Sequence, residues 1–196
     1  MTLPKLDEKK ALILDYEERF AFDLSREVLE SPKMSFWMIL IPLFLLYHVY
    51  RVRRVVEGRK GFAKNYLITR KRALEESLSL VDKAGSPNLQ TIMRDSDLPE
   101  KAKGPFKELF VLLVEHYADL LRSYGHDVPS LIRSAYKSRT NYLLFLNRLN
   151  KAEKALTDAL RPDTPKSAAA DIDFIVKAME ISTERLGRQR AELIFK

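Results

Sequence analysis

The sequence predicts an all-α protein: an antiparallel four-helix bundle with an N-terminal amphipathic helix and one Pro-kinked membrane-inserting helix. Three observations predict it. Apolar residues recur at steps of three and four along most of the chain, and no stretch keeps a period of two. One run, Met34–Tyr50, carries no formal charge apart from His48. The net charge of +7 is concentrated just after that run: residues 1–33 carry −2, residues 51–84 carry +6 and residues 85–196 carry +3. These features divide the chain into an amphipathic helix over 1–33, an apolar anchor over 34–56 and a helical bundle over 57–196.

The N-terminal helix is read from Leu12, Tyr16, Phe20, Leu24 and Val28, which recur every four residues between charged ones. Such an aromatic stripe needs a partner, either lipid headgroups or the bundle. Ser31-Pro32 ends it. The first thirty residues are too charged for a cleavable signal peptide.

The apolar anchor comprises Phe36, Trp37, Ile39, Leu40, Ile41, Pro42, Leu43, Phe44, Leu45, Leu46, Tyr47 and Tyr50. As a helix the run 34–50 would be about 25 Å long, against a hydrocarbon core of roughly 30 Å. Nine residues of the run are Phe, Ile, Leu or Val, and their transfer sums to roughly −3 to −5 kcal/mol as an upper bound. Trp37 at one end and Tyr47 and Tyr50 at the other suit the interface. Pro42 removes a backbone hydrogen bond and kinks the run. Three readings stay open: a single span, a re-entrant wedge bent at Pro42, and a buried core helix.

The basic collar that follows comprises Arg51, Arg53, Arg54, Arg59, Lys60, Lys64, Arg70, Lys71 and Arg72, opposed only by Glu57. The positive-inside rule places this flank, and the bundle behind it, on the cytoplasmic face of an inner- or plasma-type membrane. Its expected partners are anionic lipid headgroups or a protein not identified by the sequence.

Four helices make the bundle. The first continues the collar to about Ala84, with Leu67, Leu74 and Val81 at a seven-residue repeat, a possible bend at Gly58 or Gly61, and Gly85 as its cap. The second spans about Pro105 to Tyr124 with a seam of Phe106, Phe110, Leu113, Tyr117, Leu120 and Tyr124. Gly125 ends it in the left-handed conformation. The third runs unbroken from about Pro129 to Leu160, and the fourth follows Pro165 with a seam of Ile172, Ile175, Met179, Ser182, Leu186 and Leu193. Short connections imply antiparallel neighbours.

Chemistry-bearing motifs are sparse. The chain has no cysteine, which excludes disulfides, thiolate metal sites and cysteine nucleophiles. His48, His116 and His126 stand apart, and His116 with Asp119 reads as a surface pair. There is no phosphate loop and no Glu-x-x-His motif. The run Tyr136-Lys-Ser-Arg139-Thr-Asn-Tyr142 interleaves aromatic and basic residues, but Tyr142 and Phe145 fall on the packing seam. No catalytic residue, metal or cofactor is therefore expected. The leading reading is a non-enzymatic, membrane-anchored scaffold or accessory subunit that binds a protein partner or self-associates. The alternative is a soluble basic helical protein that binds nucleic acid or acidic partners, with 34–50 as a core helix.

Overall fold

The computed structural model describes residues 4–28, 60, 63–64, 66–82, 98–160 and 166–196, with side chains from residue 176 onward in the last stretch. Every regular element among them is a helix. They are α1 (Leu6–Val28), α2 (66–82), α3 (Glu100–Arg122), α4 (Val128–Tyr136), α5 (Arg139–Leu160) and α6 (Lys166–Ile194). The anchor 34–50, the collar residues Arg51, Arg53, Arg54 and Arg59, and the caps expected at Gly85 and Pro165 lie outside the described residues. Among those described, no helix is long and apolar enough to cross a membrane.

α3 occupies the centre because it is apolar on almost every side. Phe106, Leu109, Phe110, Leu112, Leu113, Val114, Tyr117, Leu120 and Leu121 are all buried, each contributing about 1.5–3 kcal/mol of transfer free energy. α5 and α4 pack on α3, and α6 packs on α5. The helix begins at Glu100, earlier than the sequence suggested, and carries Pro105 within its second turn. Its expected seam ends early, since Tyr124 is exposed beyond the last turn.

α1 supplies its stripe to this core. Ile13 joins the main cluster, while Phe20, Leu24 and Val28 form a second one with Tyr66, Met179 and Leu186. The bundle, not lipid, is thus the partner of the N-terminal stripe. Two cross-helix pairings give its direction. Glu17 meets Arg70 while Phe20 meets Tyr66, so α1 runs antiparallel to α2. Arg190 lies over Tyr16 and Phe20 while Arg185 pairs with Glu27, so α1 also runs antiparallel to α6.

Two cations, a buried lysine and an exposed arginine, close two helix C-termini from a distance. The Lys9 ammonium donates to the carbonyls of Leu121 at 2.9 Å and Ser123 at 2.7 Å, at the end of α3. Arg133 on α4 donates to the Ile194 carbonyl at 2.7 Å, at the end of α6. Both satisfy orphan carbonyls and complement the negative end of the helix dipole. Burial lowers the Lys9 pKa below its ordinary value.

The helix expected over Pro129–Leu160 is interrupted. Lys137 takes φ 64°, the only positive φ of a non-glycine residue among those described, and separates α4 from α5. The break is stabilised by Asn141, whose side-chain amide donates to the Tyr136 carbonyl. α4 itself starts with a capping box in which the Asp127 side chain accepts from the Ser130 amide and the Ser130 hydroxyl faces the Asp127 amide. The same hydrogen bonds hold the Asp127 carboxyl below its usual pKa. The fourth seam also shifts at its end: Leu193 is exposed, and Ala191 and Ile194 are buried instead.

Gly125 does not adopt the left-handed conformation expected of it. Its requirement is steric: a Cβ there would lie 2.3 Å from the Ser130 hydroxyl and 2.8 Å from the Leu131 amide nitrogen. Gly125→Ala should therefore displace the start of α4 and lower stability by about 1–3 kcal/mol, read as a reduced urea midpoint with unchanged slope. Wild-type stability in the variant would show that the turn accommodates the methyl group freely.

Candidate functional site

The described part of the collar divides in two. Lys60, Lys64, Lys71 and Arg72 are exposed. Lys71 pairs with Glu18 at 3.0 Å, both about half exposed, whereas Lys64 and Arg72 have no carboxylate partner among the described residues. Arg70 departs from the collar: it is 5% exposed and turned into the core. The cause is its position on the inner face of α2, in the series Leu67, Arg70, Leu74 and Ser77, all of them buried.

Arg70 ties together three helices. Its Nε donates to Glu17 on α1 at 3.1 Å, and its Nη2 to Glu153 on α5 at 2.8 Å and to the Tyr66 hydroxyl at 2.6 Å. The Tyr117 hydroxyl of α3 donates to the other oxygen of Glu17 at 3.0 Å, extending the network to a fourth helix. The guanidinium also lies 4.1 Å from the Tyr66 ring centroid. Burial opposes the Arg70 charge, but Tyr66, Glu153 and Glu17 outweigh it and keep its pKa above the usual value. Burial raises the Tyr66 and Tyr117 hydroxyls, the latter with help from Glu17. A second cation, Arg190, lies 4.5 Å from the Tyr16 ring and 4.6 Å from the Phe20 ring, with Asp23 at 3.3 Å.

A cleft beside these groups, lined by Tyr16, Glu17, Arg70, His116 and Tyr142 among others, has a volume of about 50 Å³. Liquid water takes up about 30 Å³ per molecule, whereas clefts for metabolites run to roughly 300–1,000 Å³. It is sized for water. Among the described residues no group of three or more His, Asp or Glu is arranged to hold a metal ion. The arrangement fixes helices against one another.

His116 is not a surface residue, as its spacing from Asp119 suggested. It is buried, stacked on Phe145 with centroids 4.2 Å apart, and its Nδ1 meets the Tyr136 hydroxyl at 2.6 Å. Burial, aided by Arg70, pushes its pKa down to about 3. Tyr142 and Phe145 are buried as the seam required.

The two flanks of the undescribed stretch 29–59 meet at one pole of the packed helices. Val28, the last residue of α1, shares a cluster with Tyr66 near the start of α2. The chain thus leaves the described helices and rejoins them at the same end.

Two predictions follow from the buried groups. Arg70→Leu should remove about 3–5 kcal/mol, because Glu17 and Glu153 are left facing each other out of water. Adding Glu17→Gln and Glu153→Gln should recover most of it, as measured by denaturant unfolding; equal stability of single and triple variants would contradict the network. His116 is neutral in the fold and titrates near 6.5 when unfolded, so the unfolded chain takes up the extra proton. Its contribution is complete above pH 6.5 and declines by about 1.4 kcal/mol per pH unit as the pH falls from 6.5 towards 3. In His116→Phe the melting temperature should fall less steeply over that window than in the wild type; parallel curves would exclude the assignment.

Comparison of the chain with family models, curated proteins and solved structures gives no match.

Proposed function

We propose that the protein is a membrane-anchored helical scaffold or accessory subunit. Its apolar segment 34–50 enters the bilayer as a re-entrant wedge, and its helices lie together on one side, the cytoplasmic face. In this reading α2, α3, the α4–α5 pair and α6 make one helical bundle, and α1 packs against it as an additional helix, antiparallel to both α2 and α6. The observation that carries it is that the end of α1 and the start of α2 share one apolar cluster at one pole, with Phe20 against Tyr66. A single span would put α1 and α2 on opposite sides of about 30 Å of hydrocarbon, yet Glu17 and Arg70 are joined across them. A run of seventeen residues folded at Pro42 gives two arms of about 12 Å, the depth of one leaflet.

The reading also rests on the strongly apolar, interface-flanked character of that run. The scaffold surface would serve a protein partner or a second copy, and the exposed collar cations would meet anionic lipid.

The absence of cysteine permits a clean test. Lys5→Cys and Lys196→Cys variants of the full chain, in sealed vesicles of either orientation, should label with an impermeant maleimide from the same side. The protein should stay in the membrane pellet through salt and alkaline washes. Labelling from opposite sides would establish a span instead, and release by salt alone would return 34–50 to the role of a core helix.

A further inference from the structure

The described residues next to the pole carry an unusual edge. Lys71 of α2 and Glu18 of α1 form an exposed pair. Phe22 is one turn beyond Glu18 on α1, and Ile68 is one turn before Lys71 on α2. Because the helices are antiparallel, both apolar side chains flank the pair on the same open face. Phe22 is 53% exposed and Ile68 is 45% exposed. Scattered apolar residues on a surface need no explanation. These two lie on adjoining helices, each one turn from the Glu18–Lys71 pair, on the side that leads to the pole from which 29–59 departs.

The surrounding charge is cationic. Arg26 lies 5.8 Å from the Phe22 ring, Lys60 and Lys64 precede α2 on its pole side, and Arg72 adjoins Lys71, all of them exposed. Of the acidic residues nearby, Glu18 is matched by Lys71 and Asp15 by Arg19, and the exposed Glu75 lies one turn beyond Lys71, away from the pole. An apolar pair rimmed by long basic side chains suits the boundary between headgroups and acyl chains: the rings and methyls enter, and the cations remain at the phosphates.

We infer that the α1/α2 edge formed by Phe22, Ile68, Arg26, Lys64 and Arg72 lies against an anionic lipid surface, Phe22 and Ile68 dipping into it. This rests on the re-entrant reading, which puts the pole at the membrane, and adds an orientation: the bundle lies on its α1/α2 side instead of standing off on a tether. Lipid contact here is made by side chains of the folded helices and is separate from the insertion of 34–50.

Tryptophan reports it directly, since Trp37 is the only one in the chain. In a Trp37→Phe background, Phe22→Trp places a single reporter on the edge. Tyr124→Trp places one on an exposed residue next to Ser123, whose carbonyl binds Lys9 near the far end of α1. The full chain is mixed with phosphatidylcholine vesicles with or without phosphatidylserine and containing brominated phospholipid, then floated. The edge reporter should be blue-shifted and quenched on the anionic vesicles, with Tyr124→Trp unaffected. Lys64→Gln and Arg72→Gln should each weaken vesicle partition of an Ile41→Asp/Leu45→Asp chain about fivefold, the effect of one juxtamembrane charge. Co-flotation with an unquenched edge reporter would overturn the docked orientation and leave the re-entrant anchor standing. A quenched reporter on a chain that alkaline carbonate releases would do the reverse. Equal quenching without phosphatidylserine would overturn the anionic preference, and failure to float at all would overturn both.

Discussion

The packing of this protein depends on one buried cation. Arg70 joins α1 through Glu17 and α5 through Glu153, and Tyr117 brings α3 into the same network. A lone guanidinium in such a place would be expelled by its desolvation energy; two carboxylates and a tyrosine hydroxyl make its burial tolerable. The geometry then leaves little choice. α1 must lie where Glu17 reaches Arg70, which draws Phe20 to Tyr66 and Ile13 into the core beside Leu74. Hydrophobic contact alone would permit neighbouring registers of two apolar helices. A hydrogen-bonded charge network permits one.

The same logic recurs at the helix ends. Lys9 and Arg133 each spend their charge on the terminal carbonyls of a helix remote in sequence. Arg190, drawn over two aromatic rings, fixes α6 to α1. Several of the chain's basic residues therefore serve the fold. Others remain exposed, on the α1/α2 side and also on α3, α5 and α6, where Lys107, Arg148 and Arg188 face solvent.

Much of the helical layout was legible in the sequence because periodicity is a property of the chain alone. The stripe of α1 and the seams of α3 and α5 follow the spacing of Phe20, Leu24, Phe110, Tyr117, Tyr142 and Phe145, all buried. The break at Lys137 was not legible, since no glycine or proline marks it and the seam spacing continues through it. Arg70 was hidden among like charges, but a signal existed. Glu17 falls in the apolar series Ile13, Phe20 and Leu24, and Arg70 in the series Leu67, Leu74 and Ser77. Opposite charges at core positions of two amphipathic helices are the mark of a buried pair. The burial of His116 had no such mark, because histidine suits surface and interior alike. The end at which α1 and α2 meet depended on tertiary pairing, which periodicity does not encode.

The distance along the chain between α1 and its partners sets an order of events. Tyr16 is joined to Arg190 across 174 positions, and Glu17 to Tyr117 across 100. During synthesis α1 emerges long before any of these partners exists, and non-local contacts of this kind close slowly. The apolar run 34–50 emerges next, also without its neighbours. For an interval the growing chain shows two unsatisfied apolar faces in succession, and whichever surface is nearest, a bilayer or a chaperone, meets them before α3 and α6 arrive. Packing of α1 is completed only with the late arrival of α6.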